Sequence, residues 1–162
     1  MKKQILILIL ISYSSFSQNF DKIEISNLNI NGNAFSQTST SFQNLFGSPS
    51  QITTYFNEIS NENWLEYQYS NNSFFFDNDR LIEFQLKDNQ FYFQNNNIKV
   101  GNNIIDLSLF FPNSYNNRAI INDLGFIRIE ITLDNNNSTD MFIIINYDRT
   151  TNTITSIHSA TS

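Results

Sequence analysis

Residues 64–87 read WLEYQYSNNSFFFDNDRLIEFQLK, and their alternation decides the expected fold. Apolar or aromatic side chains recur at every second position in Trp64 to Tyr69 and again in Leu81 to Lys87, with Phe74 to Phe76 between them. A period of two belongs to a strand with one covered and one uncovered face. Asn71-Asn72 and Asp77-Asn78-Asp79 interrupt the pattern with residues that suit tight turns, so the segment is expected to form a three-stranded antiparallel meander. Alternation then divides the side chains. Leu65, Tyr67, Tyr69, Ile82, Phe84 and Leu86 are expected to face a core, and Trp64, Glu66, Gln68, Leu81, Glu83, Gln85 and Lys87 the opposite side.

On the N-terminal side, Thr38-Ser39-Thr40 offers helix caps and Phe42, Leu45 and Phe46 follow at helical spacing until Gly47-Ser48-Pro49. Ahead of it, Ile23, Ile25, Leu28 and Ile30 alternate loosely as a strand or extended arm that ends at Asn31-Gly32. On the C-terminal side, Phe91 to Phe93 adds a short edge, and the order restarts at Val100-Gly101. An apolar segment, Ile104 to Phe110, closes on Phe111-Pro112, and three strands follow at Phe126 to Leu133, Met141 to Tyr147 and Thr153 to His158. Ile127, Ile129, Ile131 and Leu133 are expected inside, with Phe126, Arg128, Glu130 and Thr132 on the other face. Helix followed by three strands thus occurs twice. The expected class is α+β, one domain over 18–162 built from two helix-plus-meander pseudo-repeats (18–97 and 98–162), short helices packed on one face of a β-sheet.

Lys2-Lys3, the apolar run Ile5 to Ile11, and Ser15-Phe16-Ser17 have the three parts of a bacterial signal peptide, residues 1–17, with the mature chain starting at Gln18. The apolar run is shorter than the ~20 residues of a membrane-spanning helix. The expected location is the periplasm or the medium. The chain has no cysteine, so neither lipid attachment at a cysteine nor disulfides enter, and stability must come from packing. Beyond residue 17, seven basic side chains stand against fifteen acidic ones, a net charge of −8. That balance repels phosphate backbones and anionic lipid, which argues against nucleic acid as a partner and against membrane attachment after cleavage. Asn95-Asn96-Asn97 and Asn135-Asn136-Asn137 read as turns.

A helix ending in Leu45-Phe46-Gly47-Ser48-Pro49, a Trp64 to Tyr69 strand of Trp-x-x-Tyr-x-Tyr form, and Arg80-Leu81-Ile82-Glu83-Phe84 resemble the small domains of the BamE/SmpA type. Gly32 belongs to the same pattern. Two such units in tandem resemble the β-lactamase-inhibitor-protein-like architecture, and the resemblance implies helices backing a sheet whose open face meets a partner protein. This chain lacks the lipid-bearing cysteine of the first group and the disulfides of the second.

Catalytic and metal-binding types are sparse. The single His158 lies near the C-terminus, no cysteine nucleophile exists, and no serine sits in a Gly-x-Ser-x-Gly turn. Glu66, Glu83 and Glu130 share one expected sheet face, where they read as solvent-facing strand positions or as an acid pair for glycoside hydrolysis. Asp77 to Asp79 and Asp134 to Asp140 carry oxygens suited to calcium but serve equally as hairpin turns, and the second departs from the EF-hand pattern at Thr139 and Ile145. No metal or cofactor is assigned. The expected function is an exported, non-enzymatic binding domain that contacts a protein or envelope component through Trp64, Glu66, Glu83, Phe126, Arg128 and Glu130. Trp64 serves there as an interface anchor or as a plug in the core. The alternative is a small carboxylate-dependent hydrolase of extracellular glycans.

Overall fold

The computed structural model describes residues 19–58, 61–121, 124–135 and 137–161. The signal-peptide reading of residues 1–17 lies outside the described residues. Within them, runs of β-branched and aromatic residues separated by short turns form eleven strands: β1 (Lys22–Glu24), β2 (Asn29–Ile30), β3 (Asn33–Ala34), β4 (Gln51–Asn57), β5 (Glu62–Tyr69), β6 (Asn72–Asp77), β7 (Arg80–Leu86), β8 (Ala119–Ile121), β9 (Leu124–Thr132), β10 (Ser138–Asp148) and β11 (Thr153–Thr161). Nine of them make one mixed sheet in the order β1-β9-β10-β11-β7-β6-β5-β4, with β8 also on β9; β2 and β3 pair separately. β1 runs parallel to β9 and the other pairings are antiparallel.

The α+β expectation is therefore corrected: the protein is mostly β, with only short helices. These are α1 (Ser39–Phe46), α2 (Leu107–Phe110) and α3 (Pro112–Asn116), with 3₁₀ turns at Ile25–Asn27 and Ile104–Asp106. The reason is local. Thr38 caps α1 by accepting from the Ser41 amide at 3.1 Å, and Gly47 at φ 82° ends it after two turns. In the second apolar segment Pro112 cannot continue a helix, so α2 stops at Phe110 and α3 starts anew at the proline. Segments this short have no stability of their own and are held by packing.

The core is continuous across both halves of the chain. Phe42 of α1 inserts among Phe74 and Phe46 (ring centroids 4.5 Å from each) and Tyr69 and Phe76 (5.7 Å each), while Ile127, Ile129, Ile143, Ile145 and Ile157 are fully buried in the same cluster. The two meanders join where β7 meets β11, at Leu86↔Ile157 and Gln85↔His158, reinforced by the Phe84 amide donating to Ser159 Oγ at 2.9 Å.

Register shifts interrupt simple alternation between β10 and β11 at Asn146/Tyr147, between β10 and β9 at Ser138/Phe142, and between β6 and β7. β6 and β7 pair Phe75 with Glu83 but Phe76 with Leu81, so the register slips by one at Ile82. This bulge lets Leu81 (3% exposed) and Phe84 (1%) share the core side, whereas Ile82 is only partly buried. Leu65 and Leu133, both expected inside, are 43% and 45% exposed. Leu65 lies next to the sheet edge and Leu133 just past the end of β9. Phe91 is buried but outside any strand, and Phe93 makes only isolated bridges to Ile30 and Ile98.

Two sites lock the strands. Asn72, fully buried, donates to Asp88 Oδ1 (2.6 Å) and Tyr69 O (3.1 Å) and accepts from the amides of Lys87 (2.9 Å) and Asp88 (3.2 Å). Gly125 of β9 sits opposite Tyr147 of β10, whose ring lies over it; a Cβ at Gly125 would stand 2.0 Å from Tyr147 Cζ.

Candidate functional site

Side chains alternate to a second face of the sheet that no described helix covers: Phe42, Leu107 and Phe111 all pack into the core on the other side. Cross-strand register arranges this outer face in rows. One runs Thr53, Glu66, Phe75, Glu83 on β4 to β7, and Phe142, Glu130, Lys22 on β10, β9 and β1. The next runs Gln51, Gln68, Ser73, Gln85, His158, Ile144 and Arg128. All six expected binding residues lie on this face, but in two groups. Trp64, Glu66 and Glu83 belong to β5 and β7; Phe126, Arg128 and Glu130 belong to β9, three strands from β7. At roughly 4.8 Å per strand the groups stand about 14 Å apart at their nearest strands.

Trp64 is 7% exposed, its ring 6.2 Å from that of Tyr55, and its Nε1 is buried without a hydrogen-bond partner. Glu66 accepts from Thr53 Oγ1 (3.1 Å) and Ser73 Oγ (2.7 Å). Glu83 is partly buried, and burial raises its carboxyl above the ordinary 4.5. Arg128 lies between two rings, 4.3 Å from the centroid of Phe142 and 5.5 Å from that of Phe20, with Nε buried and unpartnered. Glu130 pairs with Lys22 at 3.7 Å, an exposed ion pair of small energetic weight. Phe126 is partly buried beside them.

His158 belongs to this face as well, a position that sequence spacing left unused. It lies in the same row as Arg128, across Ile144, with Nδ1 buried and unpartnered. Burial, and then the Lys87 charge, lower its pKa below 6.5. Three of the unpartnered buried polar atoms therefore lie on one face, which is notable because such atoms usually find partners.

Of the three glutamates on this face, Glu66 and Glu83 stand nearest each other, about 10 Å apart at the backbone with Phe75 between them. Two cavities lie away from Glu66 and Glu83. One of about 280 Å³ borders α2, with Asn97, Asn103, Leu107 and Phe110; another of about 460 Å³ lies beside Lys22, Glu24, Asn27 and Phe111. Among the described residues no cluster of three or more His, Asp or Glu could hold a metal ion. In the Asp77–Asp79 turn, Asn78 and Asp79 take positive φ and Asp79 Oδ1 accepts from the Ser39 amide at 3.1 Å and from its hydroxyl, fastening the start of α1. In the Asp134–Asp140 loop, the Asp134 carboxylate accepts from the Ser26 amide at 3.4 Å.

No family model and no curated protein matches the chain. Among solved structures, it is similar to an extracellular protein containing an SCP domain from Bacillus anthracis str. Ames, at 10% identity and a TM-score of 0.48. The similarity covers 79% of this chain and 44% of that one, so the chain spans less than half the length of that protein. Among the described residues no helix is long and apolar enough to cross a membrane.

Proposed function

We propose that the chain is an exported, non-enzymatic binding domain that meets a protein or cell-envelope component with the outer face of its sheet. The observation that carries the reading is Arg128, held between Phe142 and Phe20 on a face without a covering helix. An arginine held in this way has little freedom left to lose on binding and offers planar donors to a carboxylate or a main-chain carbonyl. Phe126 and Glu130 flank it as apolar and acidic contacts, and Glu66 and Glu83 form a second group toward the other end. Trp64, nearly buried on the same face beside Tyr55, steadies it. Export rests on the leader before Gln18.

The test is affinity capture from envelope and culture medium with the tagged protein, wild type beside Arg128→Ala and Phe142→Ala. The reading expects both variants to lose the captured partner while Tm stays within ~3 °C, as for changes that are mostly at the surface. A captured set unchanged by both substitutions removes the face from the account. A second reading, a glycan hydrolase, draws on one observation: Glu66 is held by two hydroxyl donors while burial raises Glu83, the division of labour of a base and an acid. It requires wild-type turnover of a polysaccharide that Glu66→Gln and Glu83→Gln each abolish, and a wild type inert toward such polymers rules it out.

A further inference from the structure

The sheet ends on one side in two strands of three residues each, β1 and β8, and on the other in a strand of seven, β4. β1 and β8 both lie along the outer side of β9, whereas β4, paired with β5 on one side, has no strand on its other side among the described residues, and five of its seven residues are exposed. Natural edges are normally blunted by lysine, proline, a bulge or brevity. β4, Gln51-Ile52-Thr53-Thr54-Tyr55-Phe56-Asn57, has none of these, and its pairing with β5 runs without a register shift.

The neighbouring turns fix the direction of its unpaired groups. Two-residue turns make Tyr69↔Asn72 and Asp77↔Arg80 hydrogen-bonded pairs. By alternation, Leu65, Tyr67 and Tyr69 bond to β6, while Trp64, Glu66 and Gln68 bond to Tyr55, Thr53 and Gln51 of β4. Ile52, Thr54 and Phe56 are left with their N–H and C=O groups turned outward. Three such residues centred on Thr54 are complementary to an antiparallel copy of themselves. A twofold axis through Thr54 sets Thr54 against Thr54 and Ile52 against Phe56 in both directions, which completes about six main-chain hydrogen bonds. The side chains agree with that register. Ile52 and Phe56, each 51% exposed, share a face with Leu65 (43%) and meet across the axis, and no charged residue of β4 opposes its like although the chain is strongly acidic.

We infer that β4 is a self-association edge, at which a second copy of this chain adds antiparallel across Thr54 and joins two nine-stranded sheets into one. The inference does not rest on the Arg128 group of the binding face, which lies near the opposite end of the sheet, while β4 adjoins the Trp64 and Glu66 group through Tyr55 and Thr53.

Thr54 opposes itself in this register, which makes single substitutions decisive. Protein purified from cells expressing the full chain is expected to sediment at twice the mass of one chain. Thr54→Lys and Thr54→Glu are each expected to sediment at the single mass, because like charges then face each other, and an equal mixture of the two returns to the doubled mass. In this cysteine-free chain Thr54→Cys forms an intermolecular disulfide under oxidation, since a hydrogen-bonded pair sets the Cα atoms ~5.5 Å apart. Ile52→Cys does not, its own copy being about 13 Å away along the strand. Circular dichroism of each variant confirms that the fold is retained. A single-chain mass for the wild type, a doubled mass kept by both charged variants, or equal cross-linking at positions 52 and 54 overturns the inference.

Discussion

Replacing Gly125 by alanine tests the packing of the sheet at its tightest point. The glycine has no positive φ, so alanine is free to adopt its backbone and, by lowering the entropy of the unfolded chain, adds ~0.4–1 kcal/mol of stability. Against that, the new Cβ falls 2.0 Å from Tyr147 Cζ and 2.4 Å from both Cε1 and Oη. No pair of atoms tolerates such distances, and the Tyr147 side chain, 3% exposed and rigid across its ring, must swing out of its site. Overpacking alone costs about 1–3 kcal/mol, and complete loss of a buried aromatic about 3–5 kcal/mol. The expected net loss is about 2–4 kcal/mol, or roughly 4–16 °C in Tm for a domain of this size. Urea titration of Gly125→Ala measures it. In a Tyr147→Ala background the obstacle is gone, and the same glycine substitution is expected to become neutral or stabilising by up to ~1 kcal/mol. A loss below ~0.5 kcal/mol in the wild-type background, or an equal loss in both, refutes the steric argument.

Asn72→Ala leaves the Lys87 and Asp88 amides without their side-chain acceptor, and a loss of ~2–4 kcal/mol is expected by urea denaturation, with Asn72→Asp no substitute because a carboxylate cannot donate to Tyr69 O. Trp64→Ala is expected to lower stability by about 3–5 kcal/mol, given its burial, and an unchanged melting curve contradicts a supporting role. His158 gives a pH signature. Its folded pKa lies below the ordinary 6.5, so the unfolded chain takes up the proton first and stability falls as pH drops from near 6.5 toward the folded value. Glu83 acts oppositely and lower: its raised pKa makes the folded state bind the proton first, so its contribution grows as pH falls through the folded value toward 4.5. Denaturation midpoints across pH, with His158→Gln flattening the upper slope and Glu83→Gln the lower one, check both.

The meander of residues 62–86 was legible because alternation and turn chemistry agreed there, and Ile127, Ile129 and Ile131 followed from the same rule. Parity misled at Ile82, since a bulge moves one residue to the other face without any mark in composition. β4 carries no alternating signature although Ile52-Thr53-Thr54-Tyr55-Phe56 is a run of strand formers, because an edge strand buries little. The parallel addition of β1 depends on contacts more than a hundred residues apart, which no local pattern encodes. For the outer face, the residue types were readable, but their division into two groups required the strand order, and His158 joined them only once β11 was seen beside β7 and β10.

That junction has a mechanical meaning. β7 and β11 share two paired positions and one side-chain bond, whereas β9, β10 and β11 are zipped along most of their length. The sheet therefore has a spine with two stiff covers, and Arg128 and Glu66 sit on different covers. Because one core runs unbroken beneath both covers, side-chain packing and not the short spine holds the angle between them.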